Sequence, residues 1–167
     1  PAALRATAVN PMNHAPVERL MCTMRGFSAS PARIAVVTTK YWHTKGVRLT
    51  VGFLDGADGA LKKKLLQHMN AWAKTANVEF VASATDPDVR ISRVGGPDGG
   101  YWSYVGTDIL SIPPAEPTMN LEGFTADTSD SEFHRVVRHE AGHTLGFPHE
   151  HMRRGLVKLI DPKKAIA

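Results

Sequence analysis

Cysteine is nearly missing from this chain of 167 residues, in which Cys22 is the only one. A single cysteine cannot form an internal disulfide, so a small secreted scaffold held together by disulfides is excluded. The chain also lacks any run of about 18 apolar residues, so we expect no membrane-spanning helix and no membrane partner. The first residues lack the apolar core of a signal peptide, so a leader either never existed or has been removed.

Extremes of charge and composition are absent as well. The formal net charge is +4, with 43% hydrophobic and 22% charged residues, as in an ordinary soluble globular domain. The main basic run, Lys62-Lys63-Lys64, fans around a predicted helix, which favours a solvated surface over a phosphate-binding patch. No RNP-like, helix-turn-helix or zinc-finger pattern occurs, and we therefore expect no nucleic-acid partner. No pattern indicates an oligomeric state.

Periodicity along the chain predicts an α+β domain, a mostly β sheet with two helices on one face. Strands are predicted over residues 47–54, 78–82 and 88–94, and helices over residues 59–76 and from the capping box at Ser129 to about Leu145. Residues 1–42 contain four prolines and are expected to be poorly organised. We interpret them as an N-terminal extension or pro-segment.

A short strand is also expected at Thr118, Met119, Asn120 and Leu121. It follows the proline-rich residues 113–117 directly, which is typical of a strand at the edge of a sheet. An edge strand carries unpaired backbone N–H and C=O groups that need protection. Alternatively, these groups could hold an extended peptide by strand addition.

Four of the eight histidines lie within the stretch HEAGHTLGFPHEH, from His139 to His151. On the predicted helix, His139 and His143 stand one turn and about 40° apart, so both imidazoles can reach one ion. Glu140 lies beside this pair and is placed to touch a water on that ion.

His149 could not join this pair if the helix continued, because it would lie about 9 Å further along the axis. Gly146 tolerates the left-handed conformation that ends helices, and Pro148 prevents helical continuation. The chain can therefore turn back and bring His149 to the ion. Three neutral imidazoles with an open position suit one catalytic Zn²⁺ ion.

The spacing His139-Glu140-x-x-His143-x-x-Gly146-x-x-His149 resembles the signature of the metzincin zinc peptidases. The form HEAGHTLGFPHE, in which Glu150 follows the third histidine, resembles the astacin branch. The stretches FLDG, SYVGTDIL and EPTMNLE are similar to bacterial astacin-like peptidases. The resemblance implies a twisted, mostly β sheet of about five strands with two long helices, a backing helix and an active-site helix. It also implies an edge strand above a cleft with zinc on its floor.

This resemblance further implies a secreted zinc-dependent endopeptidase that hydrolyses proteins or peptides. His139, His143 and His149 would hold the zinc, Glu140 would be the general base, and Glu150 a structural carboxylate. Residues 43–147 would form the N-terminal subdomain of the catalytic domain and residues 148–167 the start of the C-terminal subdomain. The methionine turn and the nearby tyrosine of the family do not occur between His151 and Ala167. Either the chain is cut short before them, or the metal site is completed in another way.

Cys22 has two interpretations. A lone cysteine is usually a small buried hydrophobic residue or an incidental thiol. A thiolate from an N-terminal segment could instead occupy the open position on zinc and keep the enzyme latent. Two alternatives to an endopeptidase stay open at this point, a zinc-stabilised interaction domain that is inactive or latent and a basic nucleic-acid binder.

Overall fold

The computed structural model describes residues 2–13, 19–21, 38–42 and 45–149. Its strands are β1 (Arg19–Met21), β2 (Val47–Phe53), β3 (Val78–Ala82), β4 (Val89–Ser92), β5 (Tyr101–Tyr104) and β6 (Met119–Leu121). Its α-helices are α1 (Ala2–Val9), α2 (Gly59–Met69), α3 (Asp130–Glu132) and α4 (Arg138–Thr144). Short 3-10 helices occupy Thr38–Lys40, Asn70–Lys74, Gly96–Asp98 and Gly106–Ser111. No helix among the described residues is long and apolar enough to cross a membrane.

The six strands form one mixed sheet in the order β1-β5-β6-β4-β2-β3. Strand β2 runs parallel to both β3 and β4, and β4 runs parallel to β6. Strand β5 is antiparallel to both of its neighbours, β6 and β1. The predicted α+β class is therefore confirmed, because β2 to β6 form a sheet of five strands as expected. Strand β1 adds a sixth strand from the N-terminal segment.

Both predicted helices pack into one hydrophobic core with the sheet. Helix α2 starts at Asp58, whose side chain accepts a hydrogen bond of 2.8 Å from the backbone N–H of Leu61. After α2 the chain continues as the 3-10 helix Asn70–Lys74, so the predicted helix over residues 59–76 is shorter and less regular than expected. The helical side chains buried in this core are Leu61, Leu65, Met69, Phe133, Val136, Val137 and Ala141.

The prediction that Thr118–Leu121 forms an edge strand is wrong. Strand β6 lies between β5 and β4, and Thr118, Met119, Asn120 and Leu121 are all buried. The prolines end at Pro117, so they precede the strand and remove none of its backbone donors. The side-chain amide of Asn120 adds hydrogen bonds to the carbonyl oxygens of Val94 and Gly100, which fixes the strand inside the sheet.

The described residues of the N-terminal segment, 2–13, 19–21 and 38–42, are better organised than the proline content of the segment predicts. Helix α1 packs against the 3-10 helix Gly106–Ser111, and β1 extends the sheet beyond β5. Lys40 donates a hydrogen bond of 2.6 Å to Asp108, and both side chains are almost fully buried. The amide of Asn13 donates to the same carboxylate over 3.2 Å. These polar contacts explain the docking, and apolar periodicity gave no indication of them.

Candidate metal centre

Residues 130–144 form one continuous helical rod, which we call the histidine helix. It begins at Ser129, whose hydroxyl accepts a hydrogen bond from the backbone N–H of Glu132, as the predicted capping box requires. Its middle section, Phe133–Val137, is π-helical. Wider turns of this kind frequently occur at functional sites, and this one directly precedes α4, which carries His139 and His143.

An aromatic contact fixes the position of the histidine helix. The indole N–H of Trp72 donates a hydrogen bond of 2.9 Å to the backbone carbonyl of Arg138. The same indole stacks on Phe147, with ring centroids 5.2 Å apart. Gly142 allows this close approach, since a Cβ atom there would lie 3.0 Å from the ring. Trp72 therefore holds the helix and the turn that follows it.

The chain reverses after α4 as the glycine and the proline predict. Gly146 has a φ angle of +101°, a left-handed conformation that favours glycine. Its backbone N–H donates to the carbonyl of His143, and the N–H of Phe147 donates to the carbonyl of Gly142. This paired pattern is a common way to close a helix end. It returns His149 towards α4.

The three predicted histidines come together. The Nε2 atom of His149 lies 3.2 Å from Nε2 of His139 and 3.1 Å from Nε2 of His143. One ligand atom from each residue lies within 4.8 Å of the other two. Four tetrahedral ligands at the usual Zn–N distance would stand about 3.3 Å apart. The imidazole nitrogens are thus spaced to hold one zinc ion.

Hydrogen bonding and burial prepare these rings for a cation. Nδ1 of His143 lies 2.6 Å from the carbonyl oxygen of Phe147, so Nδ1 carries the proton that it donates and Nε2 keeps its lone pair. Burial lowers the pKa of His143 to about 3 and that of His139 to about 4, in both cases with smaller contributions from neighbouring charges. Both rings are therefore neutral at ordinary pH, which is the form that binds metals.

Glu140 is fully buried in the first turn of α4. Neither of its carboxylate oxygens has a hydrogen-bond partner among the described residues. Burial raises the pKa of this carboxyl well above its ordinary value, although the positive charge of Arg135 opposes the shift. A buried carboxylate without partners requires an explanation. A water and a cation beside the histidines would satisfy it, which supports the fit of this site to a metal ion.

Several residues that support the site were not singled out from the sequence. The indole N–H of Trp42 donates to the backbone carbonyl of Thr144, and the hydroxyls of Thr144 and Ser103 lie 3.0 Å apart. These contacts tie α4 to β5 and to the segment that precedes β2. Trp72 lies against the histidine helix, a position that helical spacing does not indicate. Cys22 and Glu150 lie outside the described residues.

An α+β domain whose sheet packs on a helix with converging histidines and a buried glutamate has the architecture of a metzincin-type peptidase. The sequence profile of the astacin family, peptidase family M12A, matches residues 35–161. The chain belongs to the astacin family, whose members are zinc-dependent peptidases.

The similar proteins agree with this assignment. The chain is 29% identical to zinc metalloproteinase nas-27 from Caenorhabditis elegans over 125 residues, which are 74% of this chain and 26% of that protein. A structure of myroilysin superposes with a TM-score of 0.63 and 40% identity, over 70% of this chain and 55% of that one. A second myroilysin structure gives a TM-score of 0.60 and 39% identity, over 66% and 47% of the two chains. The chain therefore spans about a quarter of the nematode protein and about half of myroilysin.

Proposed function

We propose that this chain carries the metal site of a zinc-dependent endopeptidase. His139, His143 and His149 would hold a single catalytic zinc ion, with residues 43–147 as the N-terminal subdomain and residues 148–167 as the start of the C-terminal one. The observation that carries the proposal is the convergence of the three imidazoles beside a buried carboxylate without partners. A structural zinc site would not require that carboxylate.

Glu140 is the general base in this proposal. A zinc ion, when bound, supplies the positive charge that acidifies a water and stabilises an oxyanion. Glu140 accepts a proton from the attacking water and passes it to the departing amine of the peptide. In the metal-free chain, burial raises the pKa of Glu140 above its ordinary value, which makes this carboxylate a better proton acceptor than a solvated one.

The substrate would lie extended along β5. This strand is held next to α4 by the contact between Ser103 and Thr144. On its side of the sheet, β1 alone of the described strands lies outside it. An extended peptide can add to such an edge through its backbone. Strand β1 occupies that edge in this structure, so we infer that the N-terminal segment keeps the enzyme latent.

Cys22 directly follows β1 in the sequence. We propose that its thiolate is the latency ligand in the remaining position on zinc. Zinc K-edge absorption on the untreated full chain tests this ligand. A sulfur atom in the coordination shell is expected, and a shell of nitrogen and oxygen alone would eliminate Cys22. By the family resemblance, Glu150 is proposed as a structural carboxylate and the protein as a secreted one.

Hydrolysis of casein before and after limited proteolysis tests the proposed activity. We expect activity that requires zinc, and we expect Glu140→Gln to reduce it about 100- to 10,000-fold, as the loss of a general base does. Zinc content and thermal unfolding should stay close to wild type, because glutamine preserves the volume of the buried side chain. Glu79→Gln is the control, since it neutralises an exposed carboxylate on β3.

Stoichiometric zinc without hydrolysis, both before and after limited proteolysis, would contradict the peptidase proposal. That outcome would favour the alternative function, a zinc-stabilised interaction domain without catalytic activity.

A further inference from the structure

The side chain of Arg19 is held by two groups of the domain that follows the N-terminal segment. Its guanidinium carbon lies 4.6 Å from the ring centroid of Trp102, close enough for a cation–π interaction. Its Nη1 atom lies 3.7 Å from a carboxylate oxygen of Asp98. The backbone of Arg19 pairs with Tyr104 in the antiparallel ladder between β1 and β5. The ring of Trp102 and the carboxylate of Asp98 therefore both contact the basic side chain that β1 presents.

These groups lie on the face of the sheet that points away from the histidine helix. Ser103 contacts Thr144 of that helix, and successive side chains of a strand point to opposite faces. Trp102 and Tyr104 therefore share the other face. Arg19 is the partner of Tyr104 in the ladder, so its side chain lies on this face too.

A cavity of about 440 Å³ opens on this face beside β5. The residues that line it include the acidic side chains Asp55, Asp98 and Glu116, together with the apolar Val94 and the ring of Trp102. Asp55 already pairs with Arg93 over 2.7 Å. Arg19 is the only basic residue among the described residues lining the cavity. Without Arg19, the carboxylates of Asp98 and Glu116 would lie beside the ring of Trp102 with no basic residue in the lining of the cavity.

We propose that this cavity, which we call the basic-residue pocket, selects peptide substrates with an arginine or lysine side chain. The inference rests on the proposed peptidase function, since the substrate would replace β1 along β5 and place its own basic side chain where Arg19 lies. Arginine is preferred to lysine, because its planar guanidinium can lie over Trp102 while it forms an ion pair with Asp98. Asp98 and Trp102 are thus specificity-determining residues, and the alternate side chains of the same substrate point towards the zinc cleft.

Exposed ion pairs and cation–π contacts are individually weak, so the selectivity is moderate. Asp98 is largely exposed, whereas Trp102 is buried. The two contacts together correspond to a preference of about threefold to thirtyfold for a basic over a neutral side chain.

Hydrogen exchange on the zinc-loaded full chain tests the pocket without requiring activity. Asp98→Lys and Arg19→Glu should each speed amide exchange in β1 by about threefold or more, because each places like charges together. The double variant restores opposite charges and should exchange more slowly than either single variant. Asp127→Lys is the matched control, since it makes the same charge change at an exposed position outside the pocket. If amide exchange in β1 were unchanged in Asp98→Lys, the proposal that Asp98 recognises a basic side chain in this pocket would be wrong.

Cleavage-site sequencing of a peptide library, after limited proteolysis of the enzyme, tests the same pocket on substrates. Wild type and Asp127→Lys should enrich arginine and lysine at one fixed position relative to the cleaved bond. Asp98→Lys should lose this enrichment, and Asp98→Asn should reduce it by about threefold or more. A basic preference that Asp98→Lys leaves intact, or its absence from wild type, would overturn the proposal. If none of the variants, including wild type, cleaved the library, the proposed peptidase function would be contradicted. The exchange experiment alone would then test whether the pocket recognises a basic side chain.

Discussion

Burial reduces the competition between protons and a metal ion at His139 and His143. Desolvation lowers the pKa of these imidazoles to about 4 and about 3, because a charged ring is disfavoured in the core. Between pH 5 and pH 6.5, a solvated histidine is largely protonated, whereas these two rings stay neutral. Within that interval neither ring must release a proton before it binds zinc.

The pH dependence of zinc affinity follows from these pKa values. Between pH 6 and pH 5, three unshifted imidazoles would lower the affinity about 500-fold, because zinc would displace between two and three protons. With two of them already neutral, we expect a fall of at most about tenfold per unit, because zinc would then displace at most one imidazole proton. Competition with a chromophoric chelator at each pH measures the slope.

The Glu140→Gln variant is the form to use for this titration. The raised pKa of Glu140 means that zinc binding could also expel its proton, which would add to the slope. Glutamine removes that contribution. A slope close to three protons per zinc in this variant would show that the histidines are not shielded from protonation in the way that their burial implies.

At the scale of the elements, the turn after α4 depends on Gly146. An alanine there must adopt a φ angle near +101°. We expect Gly146→Ala to lower the free energy of unfolding of the zinc-free protein by about 1 to 3 kcal/mol. Zinc affinity should also fall about tenfold or more, because His149 follows the turn. Urea denaturation and zinc titration measure the two effects.

Gly59→Ala is the matched control for this turn. Gly59 begins α2, its φ is not left-handed, and a Cβ atom added there meets nothing within 4 Å. Alanine should be neutral or should raise the free energy of unfolding by up to about 1 kcal/mol. Equal effects of the two substitutions would contradict the account of the turn.

The sequence predicted those elements whose signal is local. Asp58 and Ser129 accept the capping hydrogen bonds that their positions indicate, and Gly146 closes the helix that carries His143. The edge strand was misplaced because strand order depends on pairing between distant segments. Prolines that precede β6 look the same in sequence whether the strand is at an edge or inside the sheet.

At the scale of the whole molecule, a buried ion pair joins the N-terminal segment to the domain. Lys40 and Asp108 are both about 1% exposed and lie 2.6 Å apart. Asp108→Asn would leave the charge of Lys40 without its carboxylate in a buried site. We expect this substitution to lower the free energy of unfolding by about 3 to 5 kcal/mol, measured by urea denaturation.

Glu79→Gln provides the comparison, because the pair of Glu79 with Arg48 is exposed and its loss should cost about 1 kcal/mol or less. If Asp108→Asn lowered the free energy of unfolding by no more than Glu79→Gln does, the buried ion pair would not be what holds the N-terminal segment on the domain.

Sequence patterns did not indicate that the N-terminal segment packs against the domain. Asn13 and Lys40 contact the domain through polar groups, and periodicity registers only apolar faces. The histidine site, in contrast, could be predicted from the sequence because its residues lie close together in the chain. His139 and His143 are neighbours on one helix, and His149 lies only six residues further on, so backbone geometry alone indicates their approach.

Zinc content combined with K-edge absorption on purified, never-chelated protein tests the metal site most directly. The three imidazoles should bind one zinc ion per chain, with nitrogen atoms at about 2.0 to 2.1 Å whatever the remaining ligand is. Replacing His149 by alanine should remove one imidazole from the spectrum and most of the zinc from the protein. Metal-free protein, or zinc bound by fewer than three imidazoles in the unaltered chain, would contradict the assignment of this site.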